Sequence, residues 1–130
     1  MEENSRVQLT AQCLRLLSAW NARFDSLATI LGFPEKTRSR EIRRYTEGYA
    51  FPDDEQILAR AKHVVYLGEA LRTSYPANPR MAAFWMHQPQ KRFNGRTPMQ
   101  RIEDGDDNAL VAVITLVDCA YAWDLNQPGA

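Results

Sequence analysis

Leu9, Cys13, Leu16, Leu17 and Trp20 recur at helical spacing and predict an amphipathic helix over residues 7–20. Asn21 breaks the pattern. Leu27, Ala28 and Leu31 give a second, short helix over 25–31, ended by Gly32-Phe33-Pro34. Ile42 and Tyr45 supply only a narrow stripe to a third segment, 36–45, closed by Glu47-Gly48. A broad stripe then runs through Ile57, Leu58, Ala61, Val64, Val65, Leu67, Gly68 and Leu71. It predicts a long central helix that starts after a cap at Asp53 or Asp54 and ends near Tyr75-Pro76. Asn78-Pro79 restarts a helix crowded with Met81, Ala82, Phe84, Trp85 and Met86, which Pro89 stops. The last pattern, 109–123, is apolar nearly all round through Leu110, Val111, Val113, Ile114, Leu116 and Val117. Its length, its alanines and a cap at Asp107 or Asn108 favour helix over strand.

Between the last two long patterns lies Phe93-Asn94-Gly95-Arg96-Thr97-Pro98-Met99-Gln100-Arg101-Ile102. Asn94-Gly95 is a turn signal, because both residues tolerate positive φ. Thr97 stands at an N-cap and Pro98 at the first helical position, where a missing N–H costs nothing. Gln100, three residues on, completes a capping box. Gly105 stops the short helix. The acidic run Glu103-Asp104-Gly105-Asp106-Asp107 lacks the twelve-residue calcium pattern and reads as a solvated, helix-capping loop.

These elements make an all-α chain of about seven helices, a helix-turn-helix-like region over 1–50 and a helical region over 51–130. At 130 residues it is long enough to bury a real core. The final helix changes the picture. A helix apolar on every side must be covered on every side, and a chain this small can hardly cover it alone. Each exposed Leu or Val forgoes about 1.5–3 kcal/mol of burial. That helix is therefore expected to meet a second chain, either a copy of itself or a partner.

Formal charge is balanced, with 16 basic and 16 acidic residues, which argues against a nucleic-acid coat protein. Locally it is not balanced: five of the ten residues from Lys36 to Tyr45 are basic and one is acidic. A helix, a glycine-containing turn and a short basic helix with a sparse apolar stripe is how a helix-turn-helix unit reads. Thr37, Arg38, Arg40, Arg43 and Arg44 are the candidate DNA contacts. The competing reading is a solvated helix whose arginines pair with Glu35 and Glu41. The turn is longer than a compact unit needs.

Two cysteines, Cys13 and Cys119, fall on apolar helical faces and are expected as buried free thiols in a reducing cytoplasm. The longest apolar run contains Asp118 and is too short to span a bilayer, so no membrane partner is expected. His63 and His87 have no second ligand at helical spacing, and no metal site follows. No nucleophile elbow, Gly-rich phosphate loop or metalloprotease motif is present. No catalytic residue and no cofactor are assigned.

Leu67-Gly68-Glu69-Ala70-Leu71, Pro76, Asn78-Pro79, Trp85, Pro89, Phe93, Gly95-Arg96-Thr97-Pro98 and Gly105 come in the order and spacing of a known family. Over residues 9–123, most closely in the C-terminal half, the chain resembles the Xre/MbcA/ParS-type antitoxins of toxin–antitoxin modules whose toxin has a RES domain. The resemblance implies an all-α, non-enzymatic antitoxin that silences a toxin which degrades NAD or transfers its ADP-ribose, by occluding the toxin's active site. It also implies a homodimer and a complex that binds its own operator DNA. Carried over residue by residue, the toxin-binding region would include Trp85, Phe93, Arg96, Thr97 and Met99. The end of the last helix, with Trp123 and Asp124, is the candidate for the toxin's cleft. The alternatives are a free-standing helix-turn-helix transcription regulator and a helical adaptor without a toxin.

Overall fold

The structure is a computed structural model that describes the backbone of residues 1–125 and the side chains of residues 1–119. The described residues form seven α-helices and two single 3-10 turns, with no strand among them. The helices are α1 (Glu3–Ala19), α2 (Leu27–Leu31), α3 (Ser39–Thr46), α4 (Glu55–Ser74), α5 (Arg80–Met86), α6 (Pro98–Glu103) and α7 (Ala109–Leu125). The all-α architecture is the expected one.

The spine is α4, opened by Asp54, whose carboxylate accepts from the amides of Gln56 and Ile57. Its stripe of Ile57, Leu58, Ala61, Val64, Leu67 and Leu71 is buried. It packs against α1 on one side and α7 on the other, and α2 and α6 close the end. One core cluster runs from Leu9 and Trp20 through Leu67 to Ile102 and Val117. Gly68 allows α1 to come close: a Cβ there would meet Leu16 Cδ1 at 2.6 Å.

Two boundaries differ from those the pattern predicts. α1 begins at Glu3 rather than near Val7. The added turn carries no apolar side chain, so periodicity cannot register it, yet it is tied down. Arg6 Nη1 donates to the Phe51 carbonyl at 2.9 Å, and Thr10 Oγ accepts from the Phe51 amide at 2.8 Å. α3 begins at Ser39 rather than Lys36. Residues 36–38 stay in the turn, where the Thr37 amide donates to the Pro34 carbonyl. Beside the turn, Phe33, Tyr45 of α3 and Phe51 pack ring against ring, with centroids 5.2–5.9 Å apart. This aromatic knot seats α3 on α1 with Ile42 as its only fully buried residue.

The last helix buries Ala109, Leu110, Val113, Ile114 and Val117 against α4 and α6. Its outer flank is left open: Val111 is 41% exposed and Leu116 is half-buried. Cys13 is buried, as expected, but Cys119 is exposed on that flank, a correction to the expectation that both thiols are covered. No helix among the described residues is long and apolar enough to cross a membrane.

Candidate functional site

Residues 90–107 fold into a rigid shoulder between α5 and α7. The turn is closed twice, because the Gly95 amide donates to the Gln90 carbonyl and the Gln90 amide donates to the Arg96 carbonyl. Asn94 and Gly95 take positive φ values of 57° and 85°, which glycine adopts because it lacks a Cβ and asparagine tolerates better than most residues. The capping box forms as the sequence predicts. Thr97 Oγ accepts from the Gln100 amide at 3.0 Å, and Gln100 Oε1 accepts from the Thr97 amide at 2.8 Å.

Arg96 grips Asp104 with both prongs of its guanidinium, at 2.7 and 2.9 Å, and also donates to the Gln100 carbonyl. Planar two-point pairing of this kind fixes orientation as well as charge. Arg101 holds Asp106 at 2.6 Å and reaches Asp104 at 3.4 Å. Hydrogen bonds from Arg96 and Arg101 hold the Asp104 and Asp106 carboxyls below the usual carboxylate range. Glu103 accepts from Ser26 at 2.7 Å. Asp107, expected with Asn108 as one of two possible caps for α7, instead accepts from Arg60 at 2.9 Å and from Gln56 at 3.1 Å. The run is exposed at Asp104, Asp106 and Asp107, as a solvated loop should be, and each of its four carboxylates also has a specific partner. It is Asp106 that accepts from the Asn108 amide ahead of α7.

Arg60 is the residue that sequence reasoning missed. It lies on the spine, 8% exposed, and donates to the carbonyls of Thr29, Ile30 and Gly105 besides Asp107. It bolts the end of α2 to the loop after α6. Gly105 permits the closeness: φ is +74°, and a Cβ would stand 2.4 Å from Thr29 Cγ2. A basic residue flanked by apolar ones on a long helix was the available signal, but only the fold supplies the carbonyls.

The sequence-predicted residues are placed unequally. Trp85 and Phe93 are partly buried and pack against the core, and Thr97 is half-buried by its cap. Arg96 is exposed, and Met99 is only 3% exposed, so it can act only as packing beneath the shoulder. Phe84, beside Trp85 on α5, is 57% exposed and is the largest apolar side chain offered there. Trp123 and Asp124 fall within α7, but their side chains lie outside the described residues.

The basic segment forms a separate feature. Lys36, Arg38, Arg40 and Arg44 line a cleft of about 510 Å³ with Tyr45 and Tyr49. Arg44 lies over the Tyr49 ring at 4.9 Å. Arg43 turns instead to Phe24, 5.7 Å from its centroid, and Thr37 does not line the cleft. The reading in which these arginines pair with Glu35 and Glu41 does not hold: Glu41 accepts from the Tyr45 hydroxyl at 3.1 Å, and among the described residues neither carboxylate joins an ion pair. Burial, with Glu41 second, pushes the Tyr45 hydroxyl up to about 12. Among the described residues no three His, Cys, Asp or Glu side chains gather as metal ligands.

Residues 70–119 match the family model of the antitoxin Xre/MbcA/ParS C-terminal toxin-binding domain. The match begins in the second half of α4, takes in α5, the whole shoulder and α6, and ends on α7. Among the described residues of the matched stretch, the shoulder is where exposed side chains are fixed by capping box, double-closed turn and paired arginines together. No curated protein matches the chain.

Proposed function

We propose that the chain is an antitoxin that binds and neutralises a cognate RES-domain toxin by occluding its active site, and that it autoregulates its operon by binding operator DNA. The observation that carries this reading is the toxin-binding-domain match over residues 70–119, which falls on the shoulder. A surface ordered before it meets its partner loses little freedom on association. Aromatic and Arg side chains are the types that anchor such interfaces. Phe93 and Arg96, with Phe84 beside them, meet the toxin; Trp85, Thr97 and Met99 act from beneath by packing and capping. Trp123, Asp124 and the residues after them enter the toxin's cleft. There, carboxylates suit a pocket that holds anionic NAD with basic side chains. The chain itself does no chemistry and takes no cofactor. It is a homodimer through the open flank of α7, where Val111 and Leu116 await cover.

Co-expression with the neighbouring reading frame tests the reading. Cells carrying that gene alone should stop growing, and this chain should restore growth. Removing residues 124–130 or making Phe93→Ala/Arg96→Ala should weaken rescue. A harmless neighbour, or rescue indifferent to all of these changes, refutes the proposal.

The uncompensated cations of the α3 cleft favour a second reading, a free-standing helix-turn-helix regulator using Thr37, Arg38, Arg40, Arg43 and Arg44 on DNA. Substituting Arg40 and Arg43 separates the two. An antitoxin so altered loses DNA affinity and keeps neutralisation.

A further inference from the structure

A concavity of about 450 Å³ lies where α1, the C-terminal half of α4 and the start of α5 meet. Trp20 and Leu71, both buried, and Leu16 and Val65, both half-buried, give it apolar walls. Gly68 brings two of those walls together, because the Cβ it lacks would stand 2.6 Å from Leu16 Cδ1. Ala19, Pro76 and Pro79 border the groove and are exposed. The prolines stiffen the passage from α4 to α5, since each fixes its own φ. An apolar concavity with a stiff border is where an interface seats an anchor side chain.

Charge narrows the occupant. Of the charged residues in the lining, Glu69 and Arg72 pair with each other at 2.6 Å. Arg15 is exposed and has no carboxylate within ion-pair distance among the described residues. The groove therefore offers one uncompensated guanidinium beside apolar surface. Its complement is a bulky apolar side chain next to a carboxylate, which an arginine holds through two parallel hydrogen bonds. A nucleic acid would find a single free cation there and no row of them to follow its phosphates.

Position identifies who brings that complement. Leu71, Arg72, Tyr75, Pro76, Pro79 and Ala82 of the lining fall within the stretch 70–119 that matches the toxin-binding domain. The opposite wall, with Gln12, Arg15, Leu16 and Ala19, comes from α1, outside the match. The two walls are tied together next to the shoulder. His87 Nε2 lies 2.7 Å from the Trp20 carbonyl, three residues before Gln90 closes the shoulder turn.

We propose that the toxin's footprint extends from the shoulder into this groove, where a toxin segment seats a bulky apolar side chain on Leu16 and Val65 and a carboxylate on Arg15. The inference rests on the antitoxin reading above. It gives α1 a direct part in toxin recognition. Arg15 becomes a specificity-determining contact, because a toxin without the carboxylate leaves that charge unanswered.

In the test, tagged wild-type chain and an untagged variant, both full length, compete for a limiting amount of the neighbouring reading frame's product, and mass spectrometry reads the bound ratio. Arg15→Glu reverses the charge and Ala19→Trp fills the groove; each should lower the variant's share about tenfold or more. Arg15→Lys should keep most of it. Lys62→Glu, the same change of charge at an exposed α4 position outside the groove, should keep all of it. Unchanged melting temperatures would show that these exposed positions leave the fold intact. A loss just as large with Lys62→Glu would make the effect one of net charge and overturn the assignment. So would Arg15→Glu and Ala19→Trp holding their share while Phe93→Ala/Arg96→Ala loses it, which keeps the antitoxin reading and confines the toxin to the shoulder. If the groove variants instead lower the sedimenting mass of the toxin-free chain and leave its share alone, a second copy fills the groove and the toxin does not. A neighbouring product that fails to bind even the wild-type chain ends the antitoxin reading and this inference with it.

Discussion

At Thr97 one hydroxyl and one amide decide how the chain enters α6, and the reciprocal bonds with Gln100 are both made. Thr97→Ala should cost about 0.5–2 kcal/mol in chemical unfolding. If the shoulder is the toxin's landing place, affinity should fall with it, and Thr97→Ser should recover both. This site was legible in the sequence because every part of it lies within four residues. The cysteines were half legible. Cys13 is buried, and burial pushes its thiol up to about 12, so it stays protonated. Cys119 sits on the outer flank of α7 because the inward positions there are taken by Val113, Ile114 and Val117. A thiol reagent should therefore label Cys119 of the folded single chain readily, more slowly where a second copy covers the flank, and Cys13 only after unfolding. Equal rates at both would contradict the packing of α1.

Among the elements, the junction of α2, α4 and the loop before α7 has the least local logic. Ser26 finds Glu103, and Arg60 finds both Asp107 and the carbonyls at the end of α2. No spacing rule connects positions so far apart. Arg60→Ala strands several carbonyls of a buried junction and should lower stability by about 2–3 kcal/mol. Arg60→Lys should recover only part, since one ammonium cannot span the same acceptors. Hydrogen exchange should show the loss at α2 and the 103–107 loop first. The Arg96–Asp104 and Arg101–Asp106 pairs behave differently because they face water, where such pairs contribute little to stability. Both aspartates titrate below their ordinary value when folded. Their contribution is therefore full above the unfolded carboxylate value and is lost as pH falls through the folded one. The pairing should begin to weaken as pH falls past about 4, the unfolded value, and be lost only on passing below the folded value, while the core persists. Carboxyl and guanidinium NMR signals of these residues would report it. Loosening of the shoulder at neutral pH would argue against the pairing.

For the molecule as a whole, the open side of α7 is the feature with the largest consequence. The helix is apolar all round, yet α4 and α6 cover only one face of it, leaving Val111 41% exposed and Leu116 half-covered. If a second copy covers this flank, melting temperature should rise with protein concentration. Val111→Glu should abolish that dependence and halve the sedimenting mass, with no loss of stability in the monomer. A concentration-independent monomer would leave the flank to the toxin alone.

Helices, their order, the stops at Gly32 and Gly105, the cap at Thr97 and the run of motif residues from Leu67 to Gly105 were already written in the sequence, because each depends on neighbours within a turn or two or on residues carried in order. Tertiary structure alone decided what those helices do to one another. It gave each carboxylate of the exposed acidic run a partner, buried Met99 beneath the shoulder, sent Arg43 away from Arg38, Arg40 and Arg44, and made Arg60 a clamp. The physical reason is the same in each case. A charged or long side chain takes its partner from whatever the packed backbone brings within 3 Å or so, and that partner is set by the crossing of helices, about which the spacing of residues along one chain carries no information.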